Sequence, residues 1–124
     1  MKVKVFDSEL KVMELLWEGG EVTASQLAKI LKEQTGWNPN TTYTVLKKLV
    51  DKGAIERFGS NFSCRALIKK EQIQQDEARE LVGKLFDGSA ELFLSAFFGG
   101  QELSGHEIDR LKRLVENLRE KEAL

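Results

Sequence analysis

Asn38–Arg57, NPNTTYTVLKKLVDKGAIER, reads as a helix with a defined start, two unlike faces and a defined stop, running straight into a strand. Asn38 suits the N-cap, because its side-chain oxygen can accept an orphan backbone N–H of the first turn. Pro39 falls at the first helical position, where its missing N–H costs nothing and its fixed φ already fits. Gly53 supplies a left-handed stop. Between these signals Thr42, Val45, Leu46, Leu49 and Val50 share one side at helical spacing and are expected to be buried. The opposite side carries Asn40, Thr41, Tyr43, Thr44, Lys47 and Lys48. Hydroxyls, an amide, a phenol and two ammonium groups suit base edges flanked by phosphates. Threonine is a poor helix former, so Thr41, Thr42 and Thr44 point to selection for something other than helix stability.

The flanking residues turn that helix into part of a motif. On its C-terminal side Ala54–Phe58 alternates, Gly59-Ser60-Asn61 is a turn signal, and Phe62–Leu67 alternates again, which makes a β-hairpin. On its N-terminal side Phe6, Leu10, Met13 and Trp17 recur at helical spacing after a cap at Asp7 or Ser8, and Gly19-Gly20 ends that helix. Glu21-Val22-Thr23 is short and extended. Thr23 and Gln26 have capping-box spacing, and Ala24, Leu27, Ala28, Ile30 and Leu31 form the inner face of a second helix. Three helices followed by a hairpin predict a winged helix-turn-helix, with the strand near Val22 completing a small sheet. The wing-strand residues Arg57 and Arg65, with Asn61 at the turn, become candidate DNA contacts; Lys29 and Lys32 are expected to be solvated.

From Lys69 onward the pattern is helical. Residues 70–87 carry Ile73, Leu81, Leu85 and Phe86 before an Asp87-Gly88 stop. Ser89 caps a short apolar segment around ELFLSAFF, which ends at Gly99-Gly100. Ser104 and Glu107 start a last helix lined by Ile108, Leu111, Leu114, Val115 and Leu118. Leu92, Phe93, Phe97 and Phe98 are too apolar to face water, so a second copy of the chain is expected to cover them. Leu81, Leu85, Leu92, Phe93, Phe97, Phe98, Ile108, Leu111, Leu114 and Leu118 are the candidate dimerisation residues. The chain thus divides into a winged-helix domain, 1–68, and a helical dimerisation domain, 69–124, in a mainly α fold with a small β wing.

Composition sets bounds on function. The 124 residues, 41% apolar and 31% charged, suit a soluble globular chain. No apolar run reaches the roughly 20 residues that cross a bilayer. MKVKVFDSEL lacks the apolar core of a secretory signal, which points to a cytoplasmic protein with no membrane insertion. One cysteine and one histidine exclude an internal disulfide and supply too few ligands for structural zinc, so no metal or cofactor is expected. Cys64 reads as a small buried hydrophobe and His106 as a surface residue. No nucleotide-binding loop or nucleophile–base constellation is present, so the chain is not expected to be an enzyme. The net charge is −1. Residues 1–68 carry 10 Lys and Arg against 8 Asp and Glu, a net +2, and the remainder 9 against 12, a net −3. The basic groups therefore lean only mildly toward the candidate helix.

The segments SELKVMELLWEGGEVTASQLAKIL and TTYTVLKKLVDKGAIER, then a hairpin and a late ELSGHEIDRLKRLV helix, resemble the penicillinase-repressor family of bacterial winged-helix transcriptional regulators, the BlaI, MecI and CopY group. The resemblance covers Asp7 to Leu118 and implies a homodimer that binds palindromic operator DNA and represses transcription. It implies that Thr41, Tyr43, Thr44 and Lys48 contact bases or phosphates, and that Asn38 and Asn40 grip phosphate at the helix start. Some members have arginine where Tyr43 stands. In the branch that answers β-lactams, a membrane sensor protease system leads to cutting in the dimerisation arm. The matching bond here is Ala96–Phe97, with alanine where some members have asparagine. The copper branch uses paired C-terminal cysteines, and this chain has none after Cys64. Two further readings stay open beside the repressor: a winged-helix protein-interaction module that does not bind DNA, and a ligand-sensing regulator.

Overall fold

The computed structural model describes residues 3–123. The chain runs α1 (Asp7–Gly19), β1 (Glu21–Thr23), α2 (Ala24–Thr35), α3 (Pro39–Asp51), β2 (Ile55–Phe58), β3 (Ser63–Ala66), α4 (Lys70–Leu85), α5 (Ala90–Gly99) and α6 (Gly105–Ala123). The three strands form one antiparallel sheet in the order β1-β3-β2, so the short strand around Val22 pairs with the far strand of the wing. This is a winged helix-turn-helix followed by three helices, as the sequence predicts.

Local chemistry accounts for the element ends. Asn38 Oδ1 accepts the Asn40 N–H at 2.9 Å, and Pro39 opens α3. At the other end Gly53, at φ +79°, donates its N–H to the Val50 carbonyl while the Ala54 N–H reaches the Leu49 carbonyl at 2.9 Å. That pair of bonds is the Schellman closure, which aims the chain directly into β2. Thr23 and Gln26 cap α2 reciprocally, at 3.2 and 3.0 Å. Ser89 accepts the Leu92 N–H at 3.1 Å, and Ser104 the Glu107 N–H at 3.1 Å.

The core lies among α1, α2, α3 and the sheet. Met13, Leu16, Leu27, Leu31, Leu46, Leu49 and Ile55 are fully buried there, each contributing about 1.5–3 kcal/mol of hydrophobic stabilisation. The inner face of α1 differs from the expected stripe. Glu9, Val12, Met13 and Leu16 are buried, whereas Phe6 is 57% and Leu10 36% exposed and Trp17 half-buried. Phe6, Leu10 and Trp17 lie on the flank of the buried arc, and α1 starts with Phe6 as cap residue, its N–H donated to the Glu9 carboxylate at 2.9 Å. Val50, expected inside, is 37% exposed, although its neighbour Leu49 in the same turn is fully buried. Ile30 is half-buried.

Two compact units are present, Met1–Ala78 and Arg79–Leu124. The first unit runs ten residues past the boundary expected after Ile68. Ile73 of α4 is buried in the winged-helix core, Trp17 donates its indole N–H to the Ile68 carbonyl at 2.8 Å, and Lys70 pairs with Glu14 at 3.0 Å. No helix among the described residues is long and apolar enough to cross a membrane.

Candidate nucleic-acid interface

Burial divides α3 cleanly. Thr42, Val45, Leu46 and Leu49 face the core, while Asn40, Thr41, Tyr43, Thr44, Lys47 and Lys48 are all exposed. The winged-helix scaffold therefore presents these six side chains along one solvent-facing surface. Thr44 stands at its centre, one turn from Asn40, Thr41, Lys47 and Lys48.

Hydrogen bonds restrict what two of these side chains can offer. The Thr44 hydroxyl donates to the Asn40 carbonyl at 2.9 Å. Its proton is occupied, so it presents a methyl group and acceptor lone pairs outward. The Asn38 oxygen is spent on the helix cap, leaving its amide NH₂ to face outward as a donor. Thr42 differs from its neighbours: it is fully buried, and its hydroxyl oxygen has no hydrogen-bond partner among the described residues.

The wing separates two arginines that look equivalent in the sequence. Pairing places Arg57 opposite Cys64 and Glu56 opposite Arg65. Side chains alternate across a pleat, so Arg57 shares the face of buried Ile55 and Cys64, and Arg65 emerges on the other. Arg65 is held by Glu56, at 2.9 Å from Nε and 2.8 Å from Nη2, and lies 5.0 Å from the centre of the Phe58 ring. Much of its charge is thereby balanced. Arg57 has no carboxylate partner among the described residues; its guanidinium lies 4.2 Å from the centre of the Phe62 ring. Asn61 is exposed in the turn beside it.

Two contributors escape a reading of the sequence alone. Phe62 falls within an alternating strand pattern but belongs to the wing turn. Glu56 is an ordinary surface acid until the register pairs it with Arg65. Cys64 is fully buried, and that burial pushes its thiol above the usual 9.0, against the opposing influence of the nearby Arg57 charge. No group of three or more potential metal ligands occurs among the described residues.

The second unit carries the other set of candidates. Phe86, Phe93, Phe97 and Phe98 form a chain of ring contacts with centroids 5.4–5.9 Å apart. Of the candidates in this unit, Leu81, Leu85, Leu92, Phe97, Ile108, Leu114 and Leu118 are exposed, and Phe93, Phe98 and Leu111 are half-buried. α5 has no buried residue. Ala96 and Phe97 are both exposed and lie within α5, where the bond between them is in helical conformation.

The penicillinase repressor family model matches residues 6–117. The penicillinase repressor of Bacillus licheniformis is 25% identical over 115 residues, spanning 91% of this chain and 90% of that protein. The methicillin resistance regulatory protein MecI of Mammaliicoccus sciuri is 24% identical over 114 residues, spanning 90% and 93%. Among solved structures, the DNA-binding domain of the repressor BlaI superposes with a TM-score of 0.53 at 28% identity, covering 58% of this chain and 93% of that domain. The B. licheniformis BlaI monomer in complex with the blaP half-operator gives a TM-score of 0.50 at 28% identity, covering 56% and 88%.

Proposed function

This chain belongs to the penicillinase repressor family, and on that footing we propose that it represses transcription as a homodimer, each protomer placing α3 in the major groove of a palindromic operator. The observation that carries this reading is the exposed face of α3, where amide, hydroxyl and ammonium groups stand together on the side opposite the buried Thr42, Val45, Leu46 and Leu49. A helix of that kind matches the donor and acceptor pattern of a major groove. The BlaI structure solved on a half-operator, similar to the first unit, supports it.

Lys47, Lys48 and Arg57 grip phosphate and groove, while Asn40, Thr41, Tyr43 and Thr44 read bases. Asn38 turns its amide toward phosphate, and Asn61 and Arg65 sit at the rim of the wing. The modest positive charge of residues 1–68 makes each half-site weak, so operator occupancy depends on joining two heads. Linkage converts the second binding event into an intramolecular one and raises avidity by about 10²–10⁴.

The exposed Leu81, Leu85, Leu92, Phe97, Ile108, Leu114 and Leu118 supply the surface for that link. Covering them with a second copy buries roughly 1,500 Å² or more, the range of stable dimers.

The test is selection of bound duplexes from a random pool with the full chain, followed by titration at several salt concentrations. Two matched half-sites, about one helical turn or a multiple apart, are expected, with affinity falling steeply as salt rises. Failure to retain any duplex at low salt would hand the site to the protein-interaction reading.

A further inference from the structure

The tip of the wing is built at a cost that its own stability does not explain. Phe62 has a backbone φ of +50°, in the left-handed region that glycine and asparagine enter readily and an aromatic residue does not. Three contacts hold it there. Its N–H donates to the Gly59 carbonyl at 3.3 Å, and its carbonyl accepts the Ala24 N–H at 3.0 Å and the Cys64 thiol at 3.6 Å. The ring gains little burial in return, being 54% exposed. What it does contact is Arg57, whose guanidinium lies 4.2 Å from its centre.

We propose that Phe62 is a positioning residue for Arg57: the ring, held out by the left-handed turn, keeps the guanidinium stacked and aimed so that the wing enters the operator's minor groove with that cation already in place. The inference rests on the reading that this unit binds duplex DNA. An unstacked arginine at a hairpin tip has several free rotors and a full hydration shell. Stacked on a ring, it surrenders part of both before binding, while its N–H edge stays open. That open edge is what a narrow A·T-rich minor groove attracts, because the groove concentrates negative potential. Arg65 offers a contrast on the other face of the same hairpin, its fork already taken by Glu56 at 2.8 Å.

The proposal is tested with the full chain and the palindrome selected above, using R57Q, F62G, F62Y and the R57Q/F62G double variant. F62G removes the ring and relieves the positive φ, so its resistance to urea should equal or exceed that of the wild type. Its affinity should nonetheless fall about three- to tenfold, the scale of a partly desolvated cation–π contact. F62Y, which keeps the ring, should bind as the wild type does. The double variant should bind no more weakly than R57Q alone, because a residue acting through Arg57 has nothing left to position. Replacing adenine by 2,6-diaminopurine in the flanking A·T pairs adds a minor-groove amine and leaves the major groove unchanged. That replacement should weaken the wild type and leave R57Q and F62G unaffected. Wild-type affinity in F62G, additive losses in the double variant, or a wild type indifferent to diaminopurine (contact with phosphate alone) would each overturn the proposal. A wild type that binds no duplex would instead remove the repressor reading on which it stands.

Discussion

The Lys52 ammonium lies 2.7 Å from Glu9 Oε1, joining the residue that caps the end of α3 to the first turn of α1. Glu9 is 3% exposed. It also accepts the Phe6 N–H, and Lys52 donates in addition to the Lys4 carbonyl at 2.9 Å. A buried carboxylate stripped of its cation keeps its desolvation penalty with nothing to offset it. Lys52→Met, which keeps a long side chain but removes the ammonium that also lies 4.9 Å from the centre of the Phe6 ring, is expected to destabilise the protein by about 2–3 kcal/mol in urea unfolding. This is less than for a fully enclosed pair, because Lys52 is itself 27% exposed. Adding Glu9→Gln should recover part of the loss, since the amide oxygen still accepts from Phe6. An unchanged unfolding midpoint in Lys52→Met would show that water solvates Glu9 adequately.

Thr42 invites the opposite experiment. Its hydroxyl is enclosed and unpartnered, while the Asn38 carbonyl, the usual acceptor for a helical threonine, already receives the Thr41 N–H at 2.9 Å. Valine has the same branched shape and a similar helix propensity but no polar atom. Thr42→Val is expected to stabilise the fold by about 1 kcal/mol, roughly 3–4 °C in melting temperature for a chain of this size. A lower melting temperature would mean that the hydroxyl has found a partner, such as an internal water.

Reading and gripping separate on the exposed face of α3. Thr44, its proton held by the Asn40 carbonyl, presents a methyl and lone pairs, a combination suited to a thymine methyl or an amino group on adenine or cytosine. Thr44→Ala is expected to lose discrimination at one or two positions of the selected site, roughly 1–3 kcal/mol. Lys48→Ala should weaken specific and random duplexes alike and flatten the log affinity against log salt by about one unit per protomer. Fluorescence anisotropy on both duplexes distinguishes the two. The same loss on each duplex from both substitutions would show that this face does not lie against bases.

How far these features can be seen in the sequence depends on whether a local rule carries them. Asn38-Pro39 and Gly53 act within one turn of α3, and Gly59–Asn61 within one hairpin, so those elements stand where the letters indicate. The inner face of α1 does not, because a carboxylate occupies it. Phe6, Leu10, Met13 and Trp17 make a plausible apolar stripe, yet Glu9 at three, four and seven residues before Val12, Met13 and Leu16 was the better pattern. An acid in that register requires a cation, and Lys52 supplies it from 43 positions away. Arg57 and Arg65 could not be told apart without the strand register that sets one beside Cys64 and the other beside Glu56. The turn conformation of Phe62 is equally hidden, since it is imposed by hydrogen bonds to Gly59, Ala24 and Cys64 rather than by any preference of phenylalanine.

Cys64 links pH to stability. Burial raises its thiol above 9.0, so the folded chain holds that proton more tightly than the unfolded one. The resulting contribution is fully present below about pH 9 and is lost as pH rises through the higher folded value. Urea midpoints measured from pH 8 upward should therefore fall more steeply for the wild type than for Cys64→Ala, which starts lower because of the cavity it leaves. A thiol-reactive reagent at pH 8 should label Cys64 only after denaturation. Rapid labelling of the folded protein would contradict the burial described here.

The proposed homodimer is most directly tested at Leu118, which is 59% exposed, whereas Leu111 is half-buried. Leu118→Asp should leave the protomer folded and place an unpaired charge in the shared surface. Sedimentation at micromolar concentration is expected to give dimers for the wild type and monomers for the variant. The same substitution bears on the Ala96–Phe97 bond. A protease needs extended backbone, so cutting within α5 requires that helix to open locally. α5 has no buried residue of its own and is tied by the ring contacts among Phe86, Phe93, Phe97 and Phe98, so the proposed dimer would add most of its cover. A phenylalanine-directed protease should therefore cut the Leu118→Asp monomer within α5 at least about tenfold faster than the wild-type dimer, if opening governs the rate. Equal rates would mean that the partner does not protect α5. Mass spectrometry of the chain from cells exposed to a β-lactam carries the argument into regulation. A fragment ending at Ala96 would mark proteolysis as the switch, and an intact chain during derepression of its target genes would remove it.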